Sequence, residues 1–306
     1  MAQKQACLVL FLQVEKSLSH FLGHRQSAMP IGLLALRHRA GSDLKTNGMV
    51  EAATLPIKMC CKAKGLKEYF VSNFPKKGFV MKENVLSQFG PLYHNYSLFG
   101  VHNEQLPGIF KLNQQAKEEF LIPYITRAVN ILKETNMLIS FMELFCADGY
   151  YAMVARQLGA TIAYGVDNNR DGFFAKASQI ASALGVDNIH FFEKDVQDIG
   201  TFKPVDIVAN LGGLYHVSNP EQILVESYAV AKSFLIVQSV VSMENNSEDY
   251  FEAPAPGWSW GSRYSRESFH KMILAKNWNI LDYNFNELPG NINKVSMGSV
   301  YYLIKK

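Results

Sequence analysis

Four cysteines in 306 residues (Cys7, Cys60, Cys61 and Cys146) are too few and too poorly spaced for a disulfide framework. The adjacent pair Cys60-Cys61 has no second chelating pair nearby, so a structural zinc site is not expected and a reducing cytoplasm is the expected setting. Long apolar runs are also missing: none reaches the roughly 20 residues that a membrane span needs. The pattern Gly-x-x-x-x-Gly-Lys-Ser/Thr is absent, which excludes a P-loop nucleotidase. Internal repeats and low-complexity tracts are lacking as well. Charged residues amount to 19% against 48% hydrophobic, the balance of a soluble chain with a sizeable core. The length suits one large domain with an extension, or two domains.

The net charge of +3 is unevenly spread: the first 66 residues carry +6 and the remaining 240 carry −3. Residues 67–306 therefore offer no continuous Lys/Arg stripe for a phosphate backbone. Residues 1–65 are expected to form a poorly ordered or weakly helical extension. They read as a solvated tail or an over-long start, since Met49 and Met59 can also initiate, or else as an organelle leader or a nucleic-acid-binding arm. Residues 66–135 form an aromatic-rich cap followed by a lead-in helix over 112–134, where Leu112, Ala116, Phe120, Tyr124, Ala128 and Ile131 share a stripe.

The most informative stretch is 138–168, LISFMELFCADGYYAMVARQLGATIAYGVDN. An apolar run ends in Glu143 and a short turn, a helix follows over 150–158, and a second apolar run over 161–166 ends at Asp167. Strand, tight turn, helix and strand with a carboxylate at the second strand's tip form the first unit of a nucleotide-binding α/β sheet. Further strands are expected near 189–192, 205–210, 233–241, 278–285 and 298–304. Helices fit 170–184, 219–231, opened by Asn219-Pro220, and 265–276, opened by Ser265 or Arg266. Such alternation implies a parallel sheet covered on both faces. The last two strands have only a turn near Pro289-Gly290 between them, which predicts a terminal antiparallel hairpin.

With Glu143-Leu-Phe-Cys-Ala-Asp-Gly149-Tyr-Tyr and this element order, residues 136–306 resemble a class I S-adenosylmethionine-dependent methyltransferase. Cys146-Ala-Asp-Gly-Tyr-Tyr and Leu214-Tyr215-His216-Val-Ser-Asn-Pro220 look most like the group containing the tRNA wobble-uridine carboxymethyl-transferring enzymes and related small-molecule methyltransferases. The resemblance implies a Rossmann-like, mostly parallel seven-stranded sheet with helices on both faces, and S-adenosylmethionine as cofactor. The family's first two turn glycines are replaced by Phe145 and Ala147, while Gly149 is kept. Asp167, with Asn168 beside it, would hold the ribose diol. Glu143 and the backbone of Phe145, Cys146 and Ala147 would meet the amino-acid head. Asp195 and the Val196 amide would read the adenine, and Asn210, Leu211 and the glycines after them would pass beside the sulfonium. A nicotinamide-binding Rossmann domain is the nearest rival. A pyrophosphate needs glycine at the turn, and here Phe145, Tyr150 and Tyr151 crowd it with no Gly-x-Gly-x-x-Gly present.

Tyr215 and His216 follow the fourth strand, where a transferred methyl emerges. His216 can take a proton from a hydroxyl or amine acceptor, or merely cap a helix or pack under the lid. The loop over 244–264 is too long for a plain connection and reads as a substrate wall. In it Trp258, Trp260, Arg263 and Tyr264 either stack on a flat ring and hold an anion, or simply pack the loop. The expected activity is methyl transfer to a small molecule (a carboxylate, hydroxyl or sugar), without a metal. The alternatives are a tRNA-modifying enzyme and a non-catalytic scaffold that keeps the fold.

Overall fold

The computed structural model describes residues 85–135 and 138–306. The extension expected over 1–65 and the start of the cap, 66–84, lie outside the described residues. Contacts divide the chain into Met1–Lys58 and Met59–Lys306, and the described residues all belong to the second unit.

Residues 85–109 run as irregular chain with two short 3-10 turns, Ser87–Phe89 and Ser97–Phe99. Helix α1 (Phe110–Lys133) follows, burying Leu121, Ile125, Ala128, Val129 and Leu132 at the spacing of one helical face. Then come β1 (Ser140–Leu144), α2 (Tyr150–Leu158), β2 (Ile162–Asp167), α3 (Ala177–Leu184), β3 (Ile189–Glu193), β4 (Val205–Leu211), α4 (Pro220–Val230) and β5 (Ala231–Val241). The chain ends with β6 (Phe251–Glu252), β7 (Arg263–Tyr264), α5 (Arg266–Leu274), β8 (Asn279–Glu287) and β9 (Gly298–Lys305). The seven-stranded sheet has the order β3-β2-β1-β4-β5-β9-β8, and β6 and β7 form a separate small ribbon. β1 to β5 pair in parallel, while β9 lies antiparallel between β5 and β8. This is the Rossmann-like sheet with a closing antiparallel hairpin that the sequence pattern implies.

Alternate residues of each central strand enter two cores. Phe141, Ile207, Ala209, Phe234 and Ile236 pack with α1 and α2 on one face. Met142, Leu144, Val208, Leu235 and Val237 pack with α4 and α5 on the other. Both faces are covered, so β5 is buried without a break from Phe234 to Val241, as a central parallel strand should be. Pro220 starts α4, and Ser265 and Ser268 form a reciprocal cap at the start of α5. The helix expected from 170 begins only at Ala177, after a 3-10 turn, because Asn169 (φ 56°) and Gly172 (φ 78°) hold the chain in the left-handed region. The β6–β7 ribbon inside the 244–264 loop has no counterpart in the sequence reading. No helix among the described residues is long and apolar enough to cross a membrane.

The order of strands reverses between β1 and β4. In open α/β sheets ligands bind at such a switch point, outside the carboxyl ends of the strands. The loops from β1 (145–149), β2 (168–173) and β4 (212–216) all open onto that edge.

Candidate active site

The β1–α2 turn alternates left-handed residues: Phe145 (φ 59°), Ala147 (φ 48°) and Gly149 (φ 81°). Two of the three carry side chains, at a cost of roughly 1–2 kcal/mol each. The surroundings hold them there. Cys146 N–H donates to the Val166 carbonyl (3.1 Å), Gly149 N–H to the Cys146 carbonyl (2.7 Å) and Ala147 N–H to Asp167 Oδ2 (3.0 Å). Gly149 cannot be replaced, because a Cβ there would stand 2.3 Å from the Phe191 ring. The Phe145 ring turns toward β4 and lies on Gly213, where a Cβ would be 1.8 Å from its Cγ.

Glu143 is buried at 1% exposure, and its Oε2 accepts the Ala152 amide at 2.7 Å. Burial pushes its carboxyl well above the usual range, against the pull of the Ala152 and Tyr151 amides. Its place is therefore the start of α2, under the turn.

Asp167 accepts Asn169 N–H at Oδ1 (2.7 Å) and Ala147 N–H at Oδ2 (3.0 Å). Burial raises its pKa, while the two amides pull it down. Each carboxylate oxygen keeps a second lone pair for a diol. Asn168 Nδ2 donates to Asp195 Oδ2 (3.1 Å), whose Oδ1 accepts Gln197 N–H (2.9 Å); Asp195 is exposed and Val196 buried. The structure thus brings Ala147, Asp167, Asn168 and Asp195 together across three strand ends. It does not bring in the side chains of Asn210, Leu211 or Cys146. Asn210 Nδ2 donates to Ser227 Oγ on α4 (3.0 Å), Leu211 joins the core on the α1 side, and Cys146 is buried with its thiol pushed up by desolvation.

The cap is clamped to this turn by a pair that sequence reading missed. His94 Nδ1 lies 2.5 Å from Asp148 Oδ1, His94 N–H donates to Asp148 Oδ2 (3.0 Å), and Tyr96 O–H donates to the Asp148 carbonyl (3.0 Å). Nothing local signals a partnership across 54 residues. From α1, Lys117 reaches β4: its Nζ is 3.7 Å from where a Cβ on Gly212 would stand. It has no ion pair or hydrogen bond among the described residues, and burial lowers its pKa to about 8.

At the β4 end, Tyr215 and His216 sit under the 244–264 loop. Ser262 N–H donates to the Tyr215 carbonyl (3.1 Å), and Gly261 comes so close that a Cβ would be 2.5 Å from that oxygen. The His216 ring stacks on Trp260 at 5.1 Å, and Arg170 lies 4.3 Å from the same indole. Burial, then the charge of Arg170, pulls the His216 pKa down to about 3; its buried Nδ1 has no hydrogen-bond partner among the described residues. His216 is thus a neutral acceptor with little basicity. Arg263 lies over the Tyr215 ring at 5.3 Å and is only 4% exposed. Trp258 contacts Trp260 edge-on at 4.8 Å. Tyr264 faces elsewhere, packed on Phe251 and Phe269 beside an open groove of about 730 Å³ that is also lined by Pro220 and Lys276. That groove shares no residue with the strand tips.

Residues 136–280 match the family model described as a methyltransferase domain. No curated protein matches the chain. Among solved structures, the chain is similar to the N-terminal domain of EvdMO1 with S-adenosylhomocysteine bound (14% identity, 80% of this chain and 97% of that one, TM-score 0.48). It is also similar to magnesium protoporphyrin IX methyltransferase from Synechocystis (12%, 67% and 89%, 0.48) and to TehB from Haemophilus influenzae (15%, 59% and 61%, 0.45). The family match makes residues 136–280 a methyltransferase domain, and the strand order gives it a Rossmann-like sheet.

Proposed function

We propose that this enzyme methylates a small molecule bound at the β4 tip, with the cofactor laid across the ends of β1, β2 and β3. Asp167 takes the ribose hydroxyls, Asp195 and the Val196 amide take the adenine, and Lys117 pairs with the α-carboxylate beside Gly212. S-adenosylmethionine supplies an electrophilic methyl on a sulfonium that becomes a neutral thioether once the methyl leaves.

The observation that carries the small-molecule reading is the shared indole. Trp260 touches both His216 from the β4 tip and Arg170 from the β2 loop, so an aromatic side chain spans the edge above the switch point. That suits a compact acceptor. A polynucleotide asks for an open basic face, and residues 67–306 carry a net −3. Tyr215 and His216 line the acceptor place and orient it; positioning donor and nucleophile supplies much of the rate of such a displacement.

The test is calorimetry with S-adenosylmethionine and S-adenosylhomocysteine on wild type and Asp167→Ala, with a gel shift against tRNA as control. Micromolar binding lost in the variant, with no shift of tRNA, is the expected result. Equal binding by both proteins would remove the cofactor assignment, and a salt-sensitive tRNA complex would replace the acceptor class.

A further inference from the structure

Arg263 is a buried cation without a counter-ion among the described residues. At 4% exposure its guanidinium sits over the Tyr215 ring, and Nη2 donates to Ser296 Oγ at 3.3 Å. Nε and Nη1 are buried and have no hydrogen-bond acceptor among the described residues. No carboxylate pairs with it there; the ionisable groups that act on it are the phenols of Tyr215 and Tyr250. Buried guanidinium groups are normally paired, because an unpaired one forfeits its hydration for nothing. Two further polar atoms are buried without a partner among the described residues: Ser262 Oγ, on the preceding residue, and His216 Nδ1, whose ring feels the Arg263 charge. These groups gather around Tyr215 and His216 at the β4 tip, where the proposed function seats the acceptor.

We infer that Arg263 is the anion subsite of the acceptor pocket, and that the acceptor is a small organic carboxylate. The inference rests on the methyltransferase reading and adds the substrate class to it. One buried guanidinium matches a monoanion in charge, and its planar N–H edges match a carboxylate in shape. A phosphate, nearer to −2, would stay half-compensated, since the other unpaired cation of this edge, Lys117, stands by Gly212 and is assigned to the cofactor. Tyr215 below the guanidinium and Trp260 against His216 offer flat apolar walls for the rest of the molecule. A carboxylate acceptor also asks nothing of His216 as a base.

The test uses the full chain saturated with S-adenosylhomocysteine, titrated at matched ionic strength with acetate against acetamide and benzoate against benzamide. Calorimetry and thermal shift give the readouts. Wild type should prefer at least one carboxylate over its amide by tenfold or more. Arg263→Met should abolish that preference and Arg263→Lys should keep part of it, with S-adenosylhomocysteine affinity within about twofold of wild type in both. Carboxylates binding no better than their amides in wild type would overturn the inference, with no variant needed; so would a preference that survives Arg263→Met. If S-adenosylhomocysteine itself fails to bind wild type, the cofactor reading falls and this inference falls with it. Cofactor binding without carboxylate preference sinks the subsite alone.

Discussion

The ring of Phe145 lies directly on Gly213: a Cβ added at 213 would stand 1.8 Å from Cγ of the ring. Phe145 is left-handed at φ 59°, a conformation that suits glycine, and the chain places its glycine opposite, on β4's side of the switch point. The bulk that a glycine turn would have left out is accommodated across the gap between β1 and β4.

Gly213→Ala should therefore push the Phe145 ring out of place and cost about 1–3 kcal/mol, the usual penalty of overpacking. In a Phe145→Ala background the same change should cost much less. Thermal unfolding of the four proteins of this cycle gives the coupling; additive effects would show that the two residues do not depend on each other.

Asp167→Ala should weaken S-adenosylhomocysteine binding by about 100-fold, on the order of 3 kcal/mol, since it removes a charged acceptor and frees the Ala147 amide that shapes the turn. Asp167→Asn should lose less, because its amide oxygen can still accept from Ala147. An unchanged Kd for either variant would contradict the ribose assignment.

Lys117 has a pKa lowered by burial to about 8, below its unfolded value. The unfolded chain therefore binds more protons between pH 8 and 10.5, and this group's destabilising effect is full below pH 8 and fades as pH rises through that window. Lys117→Met should raise Tm at pH 7 while weakening cofactor binding about tenfold. Wild-type cofactor affinity should fall above pH 8 as the ammonium is lost. A variant that is both less stable and equally tight would argue against the carboxylate role.

His216 is held near pKa 3, far below its unfolded value. Below pH 6.5 the unfolded state takes up a proton that the folded state refuses, so stability is lost at up to about 1.4 kcal/mol per pH unit as pH falls toward 3. His216→Gln should flatten that part of the stability curve between pH 6.5 and 4. The rate profile should show no inflection near pH 6.5 that disappears in this variant; finding one would restore His216 as a working base.

His94→Ala should free the cap from the turn, leaving buried Asp148 without its partner at a cost of about 3 kcal/mol. Hydrogen exchange should then speed up in residues 92–105 before it does in the sheet. Uniform protection would mean that the clamp is not what seats the cap.

The strand–helix order, the closing hairpin and the acids at the β2 and β3 ends were legible in the chain, because run length, turn residues and apolar periodicity are local signals. Asp167 was expected from its position after an apolar run, and Asp195 from the family resemblance. Lys117 and His94 were not, since each meets its neighbours only across elements far apart in sequence. Arg263 was noticed as a cation in a long loop, but nothing around it in the sequence says that it is buried or unpaired.

The sequence by itself determined the topology and the sheet edge on which Asp167 and Asp195 stand. Strands covered on both faces are apolar throughout, so pattern alone cannot tell which way a side chain turns. Only tertiary structure decided that Glu143 serves the start of α2, that Asn210 turns to Ser227, that Phe145 lies on Gly213 and that Arg263 is sealed in without a counter-ion among the described residues. Those outcomes depend on packing between distant segments, where a few ångströms of approach settle whether a polar group finds a partner.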